Sequence, residues 1–479
     1  MLTLPDALPL PKRSAPNQDM AFLHSGTLQH WLDVHLKDDD QAAERLLTLL
    51  QEINRSQLAF DLLCAHAPLL YPAIQTVSQR FEQHFATYPF PLPATAYSRA
   101  AMAREILIEF ALLHKRIAAE ATDESALGGA IENMVRLLGR VLFQSSLLYL
   151  SPPSGIWREL HGLLQITERL PLALPEHGAT LSEYLRILTF AAAAPHRMRP
   201  EEMIQIQPLL IDWCQHVRLA PVGRPAMEMP SLLIDLEADT PAQPATVHQD
   251  QTDGQRYRRL DLSTLQTHLR SMAEHDPQAL PIPFPLFKKL IQAFGATPVR
   301  GFFRVQGTLA LQSFHGIKGV HEQIAQPSDK GVVSLRLVNE SATGYCVEWD
   351  DTVPHPICIG EIAGIRQERA PDRLSVGVIR WMRNSIVDSP RVGIEILSSR
   401  VQAVNVDNGT EAGMEALLLP AVRATGRPQT LILPAARNHS GDRLLLADKD
   451  GASPILLTRL LESTPIFDHY QFDTLQNRQ

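Results

Sequence analysis

The chain has 479 residues, of which 45% are hydrophobic and 20% are charged, and its formal net charge is −8. This length predicts two to four domains, and the composition is that of a globular protein. The negative charge argues against a protein that coats a nucleic acid polymer, since such a protein needs a broad basic surface. A small anionic ligand needs only a local basic cluster.

The sequence shows no targeting signal and no closely spaced cysteine pair. No run of 18 apolar residues predicts a membrane span, and the first residues lack the basic and apolar regions of a secretory signal. The cysteines are scattered and form no CxxC pair, which predicts reduced thiols. We therefore expect a cytoplasmic protein. The cysteines are Cys64, Cys214, Cys346 and Cys358.

The first half of the chain predicts helices. Residues 1–20 contain several prolines and predict a partly ordered tail, and from about residue 26 apolar residues recur three and four apart. Pro-rich loops separate the predicted helices. We expect an all-helical domain over residues 1–219, built as a bundle or irregular solenoid, with a tetratricopeptide-like array as a weaker alternative. The predicted helices are 42–53, 69–85, 98–121, 126–150, 156–170, 181–192 and 200–217.

Residues 220–297 predict a linker with short helices. Prolines and polar runs gather at 220–255, which is typical of a segment between domains. Helical periodicity returns at 261–275 and at 284–294. The basic cluster at 255–259 can hold an anion or can flank a helix in solvent, and the second interpretation is favoured.

Two short fragments after the linker contain the most informative chemistry. Arg300 and Arg304 stand four apart ahead of a strand-like run, and forked guanidinium groups can bind phosphate oxygens and guanine edges. Asn339, Ser341 and Gly344 form an NxSxxG turn between two further strand-like runs. Such a turn presents small polar groups and bare backbone, on which a base can lie.

Short strand-like runs follow at a spacing that is typical of a barrel or sandwich. They cover residues 335–338, 345–349, 361–365, 375–382 and 391–397. With the two fragments in this order, residues 298–400 resemble the PilZ domain, a small antiparallel β-barrel that binds cyclic di-GMP. The runs 377–381 and 392–396 are similar to the last strands of that family. Residues 401–479 predict a small β-rich C-terminal extension.

The resemblance implies roles for the two fragments. Arg300 and Arg304 would hold phosphate and guanine, and Asn339, Ser341 and Gly344 would meet the other base. Cyclic di-GMP would be the ligand, with no further cofactor. The expected fold class is an α+β multidomain protein with an all-helical N-terminal domain, a PilZ-like antiparallel β-barrel and the β-rich extension.

The same two patterns occur elsewhere in the chain, where they are weaker candidates for a ligand site. Arg369–Arg373 and Arg423–Arg427 also read RxxxR, but both follow the NxSxxG turn and so have the wrong order. Asp123–Gly128 fits the turn pattern at the start of a predicted helix, where Asp is expected as an N-cap. Between the two fragments, residues 314–330 are an insertion with His315 and His321. No Cys, Asp or Glu completes a metal set with them, so we expect packed or solvent-facing histidines.

No catalytic signature stands out in the sequence. It has no nucleophile elbow, Walker loop, Rossmann fingerprint or HExxH motif, and the tripeptide EAL at Glu415–Leu417 is common by chance. We expect a non-enzymatic cytoplasmic receptor for cyclic di-GMP, which transmits ligand binding to an unidentified protein partner through its helical domain. The alternative is an interaction, scaffold or chaperone-like protein whose PilZ-like barrel no longer binds nucleotide.

Overall fold

The structure is a computed structural model that divides the chain into two compact units. The first unit holds Met1–Tyr88, Leu92–Pro195 and Pro200–Pro298, and the second holds Pro89–Pro91, His196–Arg199 and Val299–Gln479. The described residues are 3–15, 23, 27–36, 41–86, 88, 90–222, 232–244, 253–295, 304–328, 331–349, 356–367, 370–385, 389–409, 413–421, 426–448 and 451–475.

Helices build most of the first unit, and the predicted all-helical N-terminal region is confirmed. Its longest helices pack side by side through apolar faces, and Asp123 caps α5 by accepting from the Ala126 amide at 2.8 Å, as the helix-start interpretation predicted. The helices are α1 Leu28–His35, α2 Ala42–Arg55, α3 Phe60–Ala86, α4 Ala94–Glu120, α5 Glu124–Leu147, α6 Ile156–Thr167, α7 Pro175–Ala192, α8 Pro200–Ile206 and α9 Leu210–Trp213.

A small antiparallel sheet and two helices complete the first unit. The strands are β1 Arg218–Pro221, β2 Leu232–Asp235, β3 Gln243–Pro244 and β4 Tyr257–Asp261, in the order β1-β4-β2-β3. Helices α10 Ser263–His275 and α11 Phe284–Ala293 follow. The strands are too short to show the alternation that a sequence pattern can detect. Part of the segment predicted as a linker therefore has a sheet of its own.

A closed antiparallel barrel begins the second unit, as the PilZ-like interpretation predicted. Strand β8 pairs with both β11 and β7, so the sheet order β7-β6-β9-β10-β11-β8 returns to β7, and β5 adds to the edge of β7. The elements are β5 Val305–Gln306, β6 Ala310–His315, α12 Gly316–Ala325, β7 Val333–Ser341, β8 Gly344–Trp349, β9 Ile362–Gln367, β10 Ala370–Arg383 and β11 Arg391–Ser398.

A second closed barrel forms the C-terminal part of the chain. The predicted β-rich extension is confirmed, and its strands close in the order β12-β13-β14-β17-β16-β15 around their own apolar core. The strands are β12 Gln402–Asp407, β13 Met414–Leu419, β14 Thr430–Pro434, β15 Arg443–Asp448, β16 Gly451–Ser463 and β17 Phe467–Thr474.

The two barrels share a second apolar core. Helix α12, which is most of the insertion noted in the sequence, contributes Ile317 and Val320 to it. Strand β13 turns Ala416 and Leu418 into its own barrel, and Leu417 and Leu419 into the shared core. Because successive side chains of a strand point to opposite faces, this strand is apolar on both. The helix of the insertion therefore packs the second barrel against the first.

Candidate ligand site on the first barrel

The structure places one predicted arginine beside the predicted turn. Arg300 lies outside the described residues, as do Arg369 and Arg423. Arg304 is exposed and directly precedes β5, in which Val305 pairs with Glu340 and Gln306 pairs with Asn339. Because the pair is antiparallel, the chain at Arg304 runs toward the end of β7, where Ser341 begins the turn.

The NxSxxG turn is a tight hairpin that packs on strand β11. Ser341 pairs with Gly344, and the Ser341 hydroxyl donates to the Gly344 carbonyl at 3.3 Å. A Cβ atom at Gly344 would lie 2.4 Å from the Ile394 carbonyl oxygen, so this position has room for glycine alone. The Thr343 carbonyl also accepts from the Ile396 amide at 2.8 Å. The turn is therefore fixed against its neighbour.

A row of residues crosses the strands next to this turn. Trp381 pairs with Gly393, Gly393 with Cys346, and Cys346 with Asn339. A Cβ atom at Gly393 would lie 1.8 Å from the Trp381 ring nitrogen, so the indole lies across the bare glycine. The residues on either side of Gly393, Val392 and Ile394, are buried in the barrel, which turns the Gly393 position outward. The row therefore forms an outer surface of the barrel.

Positive charge surrounds this row. Burial raises the pKa of the Cys346 thiol, and the nearby charges of Arg304, Arg391 and Arg383 act in the opposite direction. The Arg383 guanidinium lies 5.9 Å from the centre of the Trp381 ring, within the range of a cation–π contact. Three arginines from different parts of the sequence therefore lie near one thiol of this row.

A buried carboxylate holds part of this charge in place. Glu348 lies two residues after Cys346 on β8, and its side chain is 10% exposed. It binds Arg391 at 3.0 Å and also Arg336. Both arginines remain at least half exposed. Glu348 therefore orients two guanidinium groups while their outer edges stay open to solvent.

The arrangement suits a flat anionic molecule. The indole that lies across Gly393 offers its other face to a planar ring, and guanidinium groups bind phosphate oxygens. The sequence pattern did not assign Trp381, Gly393, Arg383 and Arg391 to the site. The strands that hold them were recognised, but only the strand register shows that they lie in or next to the row beside the turn. The sequence features that could have indicated these residues are the Arg-Trp pair near the end of one predicted strand and the glycine in the next strand.

The described part of the chain shows no cluster of metal-binding side chains. It contains no group of three or more His, Cys, Asp or Glu side chains that could hold a metal ion. His315 is buried, and its ring lies 4.7 Å from the ring of Trp349, as expected for a packed histidine. Among the described helices, none is long and apolar enough to cross a membrane.

Comparisons with known proteins identify matches along most of the chain. Three family models match: the N-terminal domain of the cyclic-di-GMP receptor FimW at residues 26–225, its middle PilZ domain at 322–402, and the FimW C-terminal β-barrel domain at 400–475. A relative described as "Cyclic-di-GMP receptor FimW", from Pseudomonas aeruginosa, is 23% identical over 93% of this chain and 90% of its own length. The PilZ match includes Asn339, Ser341 and Gly344 and begins after Arg304.

Proposed function

We propose, on the premise that this chain belongs to the PilZ-domain family, that it is a receptor for cyclic di-GMP. The observation that supports this most strongly is the outer row on the first barrel. It brings Trp381 and Gly393 beside Asn339 of the NxSxxG turn and near arginine charge. The relative of similar length is named as a receptor for the same nucleotide.

The residue roles follow from the chemistry of each group. Arg304, together with Arg300, binds phosphate oxygens and a guanine edge through forked donors. Asn339 and Ser341 hydrogen-bond the second base, and Gly344 allows it to approach the backbone. Trp381 stacks on a guanine ring, as aromatic side chains do with bases in general.

The proposal extends to the rest of the chain. The protein is a cytoplasmic receptor without catalytic activity, and nucleotide binding changes how an unidentified protein partner meets its helical domain. We divide the chain into a helical domain at 1–219, a connecting segment at 220–297, the PilZ barrel at 298–400 and the C-terminal module at 401–479. The matched ranges 26–225, 322–402 and 400–475 support this division.

Isothermal calorimetry with purified full-length protein tests the nucleotide proposal. We expect saturable binding of cyclic di-GMP at micromolar or tighter affinity. Trp381→Ala should weaken binding about 5- to 100-fold, because base–aromatic stacking contributes roughly 1–3 kcal/mol per base. Arg459→Ala, at an exposed arginine of β16, is the matched control and should bind normally. A folded protein that gives no heat at tens of micromolar nucleotide would favour the scaffold alternative.

A further inference from the structure

Residues 5–14 lie along the helical unit as a strap, and the chain bends at Ala7 and Leu8. One residue of the strap, Leu8, is bound by two charged side chains. Its amide donates to Glu159 Oε2 at 3.0 Å, and its carbonyl accepts from Lys115 Nζ at 2.6 Å. Lys115 and Glu159 also pair with each other at 2.7 Å, and their side chains are only 4% and 0% exposed.

Further contacts continue along the strap backbone. The Pro11 carbonyl accepts from Arg116 at 2.8 Å, and Arg13 pairs with Glu120 at 2.5 Å. Farther along, the Ser14 amide donates to the Arg55 carbonyl at 2.8 Å, and the Ser14 carbonyl accepts from the Gln57 amide at 3.0 Å. Most of these contacts use main-chain groups of the strap, which every peptide carries.

Glycines on the opposite wall allow this close approach. A Cβ atom at Gly155, before α6, would lie 2.7 Å from the Ala7 carbonyl oxygen. A Cβ atom at Gly162, within α6, would lie 2.6 Å from the Pro5 side chain. Both positions would clash with any larger residue. The groove between α4 and α6 is therefore shaped to accept a peptide backbone at close range.

The chemistry of the groove is unusual for a purely structural contact. A buried ion pair often stabilises a fold no more than well-packed apolar side chains of the same volume, because both charges lose their hydration. Lys115 and Glu159 instead match the two main-chain polar groups of one residue, Leu8. Pro9 follows Leu8 and restricts the backbone conformations of both residues, which lowers the entropy lost on binding.

We propose that the groove between α4 and α6 is a peptide-binding site that the strap occupies in the free protein. Its partner is a peptide with a proline directly after the residue that Lys115 and Glu159 bind. Such a peptide, presented by another protein, displaces the strap. The site lies outside the proposed nucleotide site, and its test does not depend on cyclic di-GMP.

The test uses the full-length chain with a specific protease site inserted between residues 15 and 27. The folded protein is cleaved, and a fluorescent peptide of residues 3–15 is added while its anisotropy is measured. We expect saturable binding that unlabelled peptide reverses. A peptide with the Leu8→Pro substitution should bind roughly 10- to 100-fold more weakly, because proline lacks the amide N–H that donates to Glu159. Lys12→Ala, at an exposed position, is the matched control and should bind normally.

A second peptide separates backbone recognition from side-chain anchoring. It keeps the prolines at positions 5, 9 and 11 and rearranges the other residues, and we expect binding within about tenfold of the natural peptide. Three results would overturn the proposal. In the first, the cleaved strap dissociates only when the helical unit unfolds. In the second, the Leu8→Pro peptide binds as tightly as the natural peptide. In the third, the rearranged peptide does not bind.

Discussion

Replacing Arg380 by methionine should destabilise the second unit by about 2–3 kcal/mol. Arg380 is the extra residue of a β-bulge, since Ile379 pairs with Ile394 and Trp381 pairs with Gly393. A bulge redirects its side chain, and here the guanidinium reaches the second barrel. It binds Glu462 through both terminal nitrogens, one of them at 2.8 Å, and its Nε donates to Glu395 at 2.6 Å.

The expected magnitude follows from the exposure of the partners. Breaking a fully buried ion pair costs about 3–5 kcal/mol, and breaking an exposed pair costs at most about 1 kcal/mol. The side chains of Arg380 and Glu462 are 23% and 25% exposed, so their pair lies between these limits, at about 2 kcal/mol. Glu395 is 51% exposed and adds a few tenths.

Urea unfolding of the full-length protein, followed by tryptophan fluorescence, measures this effect. Glu462→Gln removes the same ion pair from the other side, so the double variant should be less destabilised than the sum of the singles by about 1–2 kcal/mol. Arg459→Met, on the same strand as Glu462 but exposed, should change stability by less than about 0.5 kcal/mol. Additive effects of Arg380→Met and Glu462→Gln would refute the reasoning.

Three further outcomes are expected. Arg304→Ala should weaken cyclic di-GMP binding roughly 10- to 100-fold in calorimetry without lowering the unfolding midpoint, because the side chain is exposed and charge-assisted contacts contribute about 1.5–3 kcal/mol. Gly344→Ala should lower both binding and the midpoint of thermal unfolding, since its Cβ would lie 2.4 Å from the Ile394 oxygen; unchanged behaviour would contradict the tight turn. Burial raises the pKa of Glu361 to about 7, so the folded state holds a proton that the unfolded state has lost, and stability falls as pH rises from about 4.5 through 7. Glu361→Gln should therefore be more stable than the natural chain at pH 8, by roughly 3 kcal/mol, and similar to it at pH 4.

Local patterns predicted the elements of this fold well. Helix periodicity identified the α4–α5 region, and the alternation around Val378 identified a barrel strand, because each pattern is repeated over many neighbouring residues. The four-stranded sheet of the first unit was not predicted, since its strands have two to five residues. The closure of the second barrel also depends on pairings between distant strands, which no local pattern contains.

The sequence predicted only those residues of the candidate site that lie close together along the chain. Asn339, Ser341 and Gly344 lie within six residues of one another, so a single turn pattern contains them. Trp381 and Gly393 reach the same surface through strand register and through the bulge at Arg380. A bulge shifts every following side chain relative to the neighbouring strand. Its position depends on packing between strands, and a single sequence does not show it.

The shared core means that the first barrel of this chain is not an independent domain that can be transferred by itself. Phe314 and the α12 residue Val320 lie in the shared core with Leu417, Leu419 and Phe467, and all five are buried. Removing the sequence after residue 400 would remove the last three. The truncated barrel would present a new apolar face to water, and such faces drive self-association. A nucleotide sensor cut from this protein for transfer into another chain would therefore need both barrels, joined as they are here.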